Sequence, residues 1–189
     1  MPLSDPAPRE ALHRRDIRLA GYRRADGRFD IEGELIDTKT YPIQLQGRAR
    51  DPGEPLHHMR LRLTVDEDMT IQAAEAVTES GPYPTCAGGA ESFARLAGLR
   101  IGPGFVREAM ARLGGTAGCT HIRELVQQMG TVAFQTMFGQ RSRAPSESAV
   151  AKRLIDSCHA YASDGAVVRQ RWPELYTGRE SEPGRDAAE

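Results

Sequence analysis

Two cysteines and two histidines of this 189-residue chain lie in settings that could do chemistry. Cys119 stands in Gly-Gly-Thr-Ala-Gly-Cys-Thr-His, residues 114–121, so His121 follows it by two residues, just ahead of an amphipathic run. Cys86 stands in Gly-Pro-Tyr-Pro-Thr-Cys-Ala-Gly-Gly, residues 81–89, just after a strand-like segment. Thiolate and imidazole are preferred ligands of zinc and iron, and glycine-rich turns allow the close approach that such ligands need.

The strand pattern of residues 57–65 adds a fourth donor. Apolar residues alternate with polar ones there, so His57 shares the face of Met59 and Leu61, whereas His58 points to the other face. Four nitrogen and sulfur ligands suit a tetrahedral centre. The sequence therefore predicts a metal site, for zinc, iron or an iron–sulfur cluster, made by His57, Cys86, Cys119 and His121.

The same residues are open to other interpretations. Cys119 could be a nucleophile with His121 or His57 as its base, acting on an acyl or thioester substrate. A metal with an open coordination position could instead activate water for hydrolysis. The site could also be a structural staple of an interaction module, or Cys119 could be a small core residue beside a solvated His121.

Further polar residues are interpreted as structural. Cys158 lies on the apolar face of Leu154 and Ile155, which favours core packing, with His159 as a reserve ligand. Carboxylates alternate along residues 26–37, a pattern that fits a solvated strand face better than an acid/base pair. These carboxylates are Asp26, Asp30, Glu32, Glu34 and Asp37. Phosphate-loop and dinucleotide-binding sequences are absent.

Hydrophobic periodicity predicts an α+β fold. Period-2 patterns indicate two consecutive β-hairpins, 16–38 with an Asp26-Gly27 turn and 57–77, and thus an antiparallel sheet. Period-3.6 patterns indicate helices over 91–98, 104–113, 121–138 and 148–162, packed on one face of that sheet. The predicted core is Met59, Leu61, Leu63, Ile122, Leu125, Val126 and Met129.

Length and composition indicate one soluble domain. We expect this domain over residues 13–177, between disordered tails at 1–12 and 178–189 that are rich in Pro, Gly, Glu and Arg. A net charge of −1 gives no basic field for nucleic acid, and no apolar stretch is long enough for a membrane helix. Three cysteines and no signal-peptide pattern favour a reducing cytoplasm.

Several strings in the sequence resemble an uncharacterised bacterial family known as a domain of unknown function. The resemblance covers most of residues 16–176 and implies no established activity, although it suggests a setting in the catabolism of aromatic or acyl-thioester substrates. The strings are residues 21–32 (Gly-Tyr-Arg-Arg-Ala-Asp-Gly-Arg-Phe-Asp-Ile-Glu), His57-His58-Met59, Pro84-Thr85-Cys86, Gly118-Cys119-Thr120-His121 and Cys158-His159-Ala160.

A more distant resemblance covers about residues 55–137, whose order of elements is similar to that of iron–sulfur cluster scaffold proteins. Cys86 matches the middle cysteine of those scaffolds, and Cys119 and His121 match the final pair in altered order. His57 stands where the scaffolds have an aspartate, and their first cysteine has no counterpart. The resemblance implies a scaffold-like fold that holds a metal stably rather than assembling and releasing a cluster.

Overall fold

The computed structural model describes residues 2–140 and 146–178, without the side chain of Ser148. Contacts divide the chain into two compact units, residues 1–142 and 143–189. Residues 2–12 are exposed and form no helix or strand, and the predicted C-terminal tail lies outside the described residues from 179 onward. The division into one domain and two disordered tails stays a prediction.

The first unit is built on an antiparallel sheet of four strands. The described part of this unit contains six strands, which are β1 (His13–Arg23), β2 (Phe29–Lys39), β3 (Ile43–Leu45), β4 (Arg48–Arg50), β5 (Pro55–Val65) and β6 (Ile71–Ser80). The sheet has the order β1-β2-β5-β6, while β3 and β4 form a separate ribbon that the sequence analysis did not predict.

Turn chemistry explains why the two hairpins form where the sequence predicts them. Gly27 adopts a φ of 83°, and the carboxylate of Asp26 accepts a hydrogen bond from the Arg28 amide at 3.2 Å. In the second hairpin the Asp66 carboxylate accepts from the amides of Asp68 and Thr70, each at 2.9 Å. Both predicted hairpins are confirmed, and the first begins three residues earlier than expected, at His13.

Helices cover one face of the sheet. They are α1 (Gly88–Glu91), which continues into a 3₁₀ turn over Ser92–Leu96, then α2 (Phe105–Leu113) and α3 (Thr120–Met137). The predicted change from period 2 to period 3.6 is therefore confirmed, and the fold is α+β. Within residues 2–140 and 146–178, none of the helices has the length and apolarity needed to cross a membrane.

The core lies between α3 and the odd-numbered residues of β2 and β5. Antiparallel register places Leu35 opposite Met59 and Ile31 opposite Leu63, so their side chains share the covered face. Gly33 lets α3 approach, since a Cβ there would lie 3.1 Å from the Met129 sulfur. All seven predicted core residues are at most 2% exposed, which confirms the face assignment.

The second unit contains α4 (Glu147–Leu154) and α5 (Ala166–Arg171), which pack around Trp172. The prediction of one helix over 148–162 is wrong, because the chain turns at Asp156, whose φ is 59°. That turn leaves Cys158 and His159 exposed, so the prediction that Cys158 packs inward is also wrong.

Truncating the core at the centre of β5 tests this packing. Leu63 is fully buried, so Leu63→Ala should lower the free energy of unfolding by about 2–5 kcal/mol in urea denaturation. Val77→Ala on β6, where the side chain is 43% exposed, is the matched control and should change stability by less than about 0.5 kcal/mol. Equal losses in the two variants would contradict the assignment of the covered face.

Candidate metal-binding site

The carboxylate of Asp37 is the centre of a polar cluster at one end of the sheet. Asp37 is only 1% exposed, because it lies two positions from Leu35 and so points to the covered face. The register places it opposite Arg15 on β1 and His57 on β5. Three neighbouring strands thus bring a carboxylate, a guanidinium and an imidazole into one row.

Arg15 holds both oxygens of this carboxylate. Its Nε lies 2.7 Å from Asp37 Oδ1 and its Nη2 lies 2.7 Å from Oδ2, while Nη1 binds the carboxylate of Glu124 on α3. His13 adds a weaker contact, with Nε2 at 3.3 Å from Oδ1. Such bidentate pairing is the strong form of an ion pair, and it compensates the cost of burying Asp37.

Two imidazoles meet at the second oxygen of Asp37. His57 Nδ1 lies 3.0 Å from Oδ2, and because an ionised carboxylate only accepts, this nitrogen donates. His121, in the first turn of α3, places Nε2 at 3.8 Å from the same oxygen. The two rings stack with centroids 3.8 Å apart and planes inclined by 30°. Ligand atoms of Asp37, His57 and His121 all lie within 4.8 Å of one another.

Burial and charge set the ionisation of these groups. Burial opposes ionisation of Asp37, but the hydrogen bonds and charge of Arg15, followed by the His57 contact, hold its pKa below the ordinary 3.8. Burial, and next the nearby His121, lower the pKa of His57 below 6.5. Burial, and next the charge of Arg15, lower the pKa of His121 likewise. One carboxylate anion and two neutral imidazoles are the forms that coordinate a metal.

Cys119 lies beside His121 at the start of α3. Its Sγ is 3.8 Å from His121 Nδ1, and Cys119 is the N-cap residue of α3. The loop that carries α1 packs against it, since a Cβ on Gly89 would lie 3.4 Å from Cys119 Cβ. The His121 ring therefore has Asp37 at one nitrogen and a thiol at the other.

Cys86 has different surroundings. Cys86 ends the 3₁₀ turn Pro84–Cys86, and its carbonyl accepts a hydrogen bond from Thr78 Oγ1 at 3.4 Å. It also packs against Gly81, where a Cβ would lie 2.8 Å from the Cβ of Cys86. Among the described residues, no cysteine joins a group of three possible ligands. The structure thus brings His57 and His121 together, places Cys119 beside His121 and does not add Cys86. The four-residue ligand set stays a prediction.

The sequence pattern did not reveal the residues around which the cluster is built. It assigned Asp37 to a solvated face, which is wrong, because Asp37 is odd-numbered like Leu35 whereas Glu32 and Glu34 are even-numbered. The odd–even position of Asp37 in the strand could therefore have identified it as buried. Arg15 and His13 precede residue 16, where the predicted hairpin begins, so the pattern gave no reason to consider them. We refer to these residues together as the Asp37 cluster, which comprises His13, Arg15, Asp37, His57, His121 and Glu124.

The opposite face of the sheet carries paired charges. His58 Nε2 lies 2.9 Å from Glu34 Oε1, as the predicted parity of His57 and His58 requires. Arg62 Nε donates to Glu32 at 2.8 Å, and Arg24 Nη1 donates to Asp30 at 3.4 Å. A shallow groove crosses this face, but its charges satisfy one another, as on an ordinary solvated sheet surface.

Comparison with known protein families identifies a match over most of the chain. The family model described as "Protein of unknown function (DUF2889)" matches residues 13–135, which contain the four-stranded sheet, nearly all of α3 and every residue of the Asp37 cluster. Neither the curated proteins nor the solved structures provide a match. The likeness to iron–sulfur scaffolds stays a prediction, and the string Cys158-His159-Ala160 lies outside the matched residues.

The lowered histidine pKa values predict how stability depends on pH. Unfolded histidines titrate near 6.5, so below that pH the unfolded chain binds more protons than the folded one. Acidification of the metal-free protein from about pH 7.5 to about pH 5 should therefore lower the free energy of unfolding in urea. This decrease in the free energy of unfolding should be smaller in His57→Gln than in the wild type. Stability that rises on acidification would contradict the pKa directions.

Proposed function

We propose that this chain, which belongs to the DUF2889 family, binds a single zinc or iron ion through Asp37, His57 and His121. The observation that carries the proposal is the approach of one buried carboxylate and two imidazoles to within 4.8 Å of one another. Burial favours the neutral imidazole in both histidines, and Arg15 favours the carboxylate form of Asp37.

The donor types support a mononuclear ion rather than a cluster. Two histidines with one carboxylate form a set typical of zinc enzymes and of non-haem iron sites with open positions. Iron–sulfur clusters need several thiolates. Within the described residues, Cys119 is the one thiol that contacts a member of the Asp37 cluster.

Cys119 supports the site from behind His121. Because Nε2 of the ring faces Asp37 and Nδ1 faces Sγ, the ring lies between the carboxylate and the thiol. A histidine ligand commonly donates its second ring N–H to a neighbouring acceptor, which fixes the tautomer and the ring orientation. We therefore assign Cys119 as the partner of a ligand, whereas the sequence analysis assigned it as a ligand itself.

Three protein ligands leave a coordination position open. A zinc or iron ion held in this way supplies Lewis-acid chemistry and lowers the pKa of a bound water towards neutrality. The reaction class that fits this chemistry, and that agrees with the family resemblance noted from the sequence, is hydrolysis of an acyl or thioester substrate.

A second candidate function is metal-free nucleophilic catalysis by Cys119. The observation that favours it is the order thiol, imidazole, carboxylate, with Sγ and Asp37 Oδ2 each 3.8 Å from opposite nitrogens of His121. A nucleophile, its base and an orienting acid occur in this order in catalytic triads. The N-terminus of the 18-residue helix α3 also favours a thiolate at Cys119. The substrate would again be an acyl or thioester compound.

Cobalt(II) titration tests the ligand set, with the visible absorption of the bound ion as the readout. The wild type should bind one equivalent, and His57→Ala, His121→Ala and Asp37→Asn should each weaken binding by more than the about 10–100-fold typical of a lost supporting residue. His58→Ala is the matched control, because His58 binds Glu34 on the other face. Circular dichroism verifies folding, and unchanged cobalt affinity in all three variants would refute the site.

Cysteine variants separate the two assignments of Cys119. If Cys119 is the partner of His121 and not a ligand, Cys119→Ser should weaken cobalt binding by about 10–100-fold. The wild-type spectrum should then show no thiolate-to-cobalt charge-transfer band for this variant to remove. Cys86→Ser should leave binding unchanged. An intense charge-transfer band that both cysteine variants abolish would instead support the ligand set predicted from the sequence.

Alkylation of the metal-free protein tests the nucleophile. If Cys119 is activated, iodoacetamide should modify it faster than the exposed Cys158, although Cys119 is half-buried. His121→Ala should slow that reaction, with peptide mass spectrometry as the measurement. Preferential modification of Cys158 would argue against nucleophilic catalysis and leave metal binding unaffected.

A further inference from the structure

Arg15 occupies the carboxylate that the proposed metal needs. Its Nη2 lies 2.7 Å from Asp37 Oδ2, the oxygen that both histidines approach. A guanidinium and a metal ion repel each other, so an ion on Oδ2 competes with this hydrogen bond. Arg15 keeps two other contacts, from Nε to Oδ1 and from Nη1 to Glu124. A metal ion on Oδ2 would therefore free Nη2, and the two other contacts would hold the rest of the side chain.

The charges of the site also indicate that an anion would accompany the metal. Without metal, the cation of Arg15 faces the two anions of Asp37 and Glu124, which leaves one excess negative charge beside the neutral imidazoles. A divalent ion turns this into one excess positive charge. In a partly buried site such a charge is costly unless an anion compensates it.

We infer that the metal-loaded site binds a small oxyanion, a carboxylate or a phosphate, through the Nη2 group of Arg15. The inference rests on the proposed metal site and names the class of substrate it takes. A guanidinium presents planar N–H donors that match the oxygens of carboxylates and phosphates. The anion would be the acidic group of the acyl substrate, held next to the open coordination position.

The exposed residues of the Asp37 cluster indicate the side from which an anion would enter. Asp37 is 1% exposed, whereas the side chains of Arg15 and His13 are 30% and 38% exposed. An anion from solvent thus meets Arg15 and His13 before it meets Asp37. His13 lies on the same side, with Nε2 at 3.3 Å from Asp37 Oδ1. Glu124 is the acidic group that faces Arg15 there, and it is already bound to Nη1.

The test uses the full chain loaded with cobalt(II) and titrated separately with sodium acetate and with inorganic phosphate. The shift of the cobalt absorption bands is the readout. Arg15→Gln should still bind cobalt, because the metal ion itself then supplies the positive partner of the buried Asp37 carboxylate. It should bind the anion about 10-fold more weakly or worse, as expected for loss of a charge-assisted hydrogen bond.

Arg14→Gln is the matched control, because Arg14 is the neighbouring residue on the other face and pairs with Asp16 at 2.8 Å. It should leave both affinities unchanged. A response to acetate alone identifies a carboxylate-bearing ligand, and a response to phosphate alone identifies a phosphate-bearing one. Both results support the inference, provided that Arg15→Gln weakens the response.

Three results would overturn the inference, and the first two leave the metal proposal standing. Equal anion affinity in wild type and Arg15→Gln, with cobalt bound to both, leaves the metal proposal intact and removes Arg15 as the anion ligand. Loss of cobalt in Arg15→Gln alone, with the fold retained by circular dichroism, shows that Arg15 positions Asp37 for the metal. Absence of cobalt from the wild type overturns both proposals.

Discussion

Burial of the Asp37 carboxylate constrains this end of the molecule more than any other interaction. A buried charge without partners is too costly to keep, so the neighbouring strands must supply Arg15 and His57 at matching positions. The register of β1, β2 and β5 is thus specified by a polar row as well as by apolar residues. A shift of one residue in β2 would turn both Asp37 and Leu35 away from the core.

The same carboxylate connects the sheet to α3. Glu124 binds Arg15 from the helix, and His121 stacks on His57, so polar contacts join helix and strands in addition to the apolar core. Stability and the proposed metal binding therefore depend on the same atoms. Changes to the Asp37 cluster must be compared with controls on the opposite face, because a loss of fold and a loss of ligand would otherwise look alike.

Periodicity alone predicted most of the fold. It located both hairpins, the buried residues of β5 and the inward direction of His57, because a pleated strand alternates its side chains strictly. It also located the start of α3 and hence His121. The cysteines were harder to assign, because the path of the loop at residues 81–89 follows from tertiary packing that no local pattern encodes. Asp37 was missed because it was grouped with nearby carboxylates instead of being assigned by its own parity.

The stacking of His57 on His121 has a consequence for kinetics. Each nitrogen lone pair lies in the plane of its own ring, so two rings stacked with planes inclined by only 30° do not both direct a lone pair at one point between them. An ion held by both imidazoles must therefore turn one ring about its side-chain bonds, and His121, the more exposed of the two, turns more freely. If the proposed ion binds, its capture would proceed in two stages, encounter at Asp37 and then rotation of the ring, and at high ion concentration the rate of capture would be limited by that rotation.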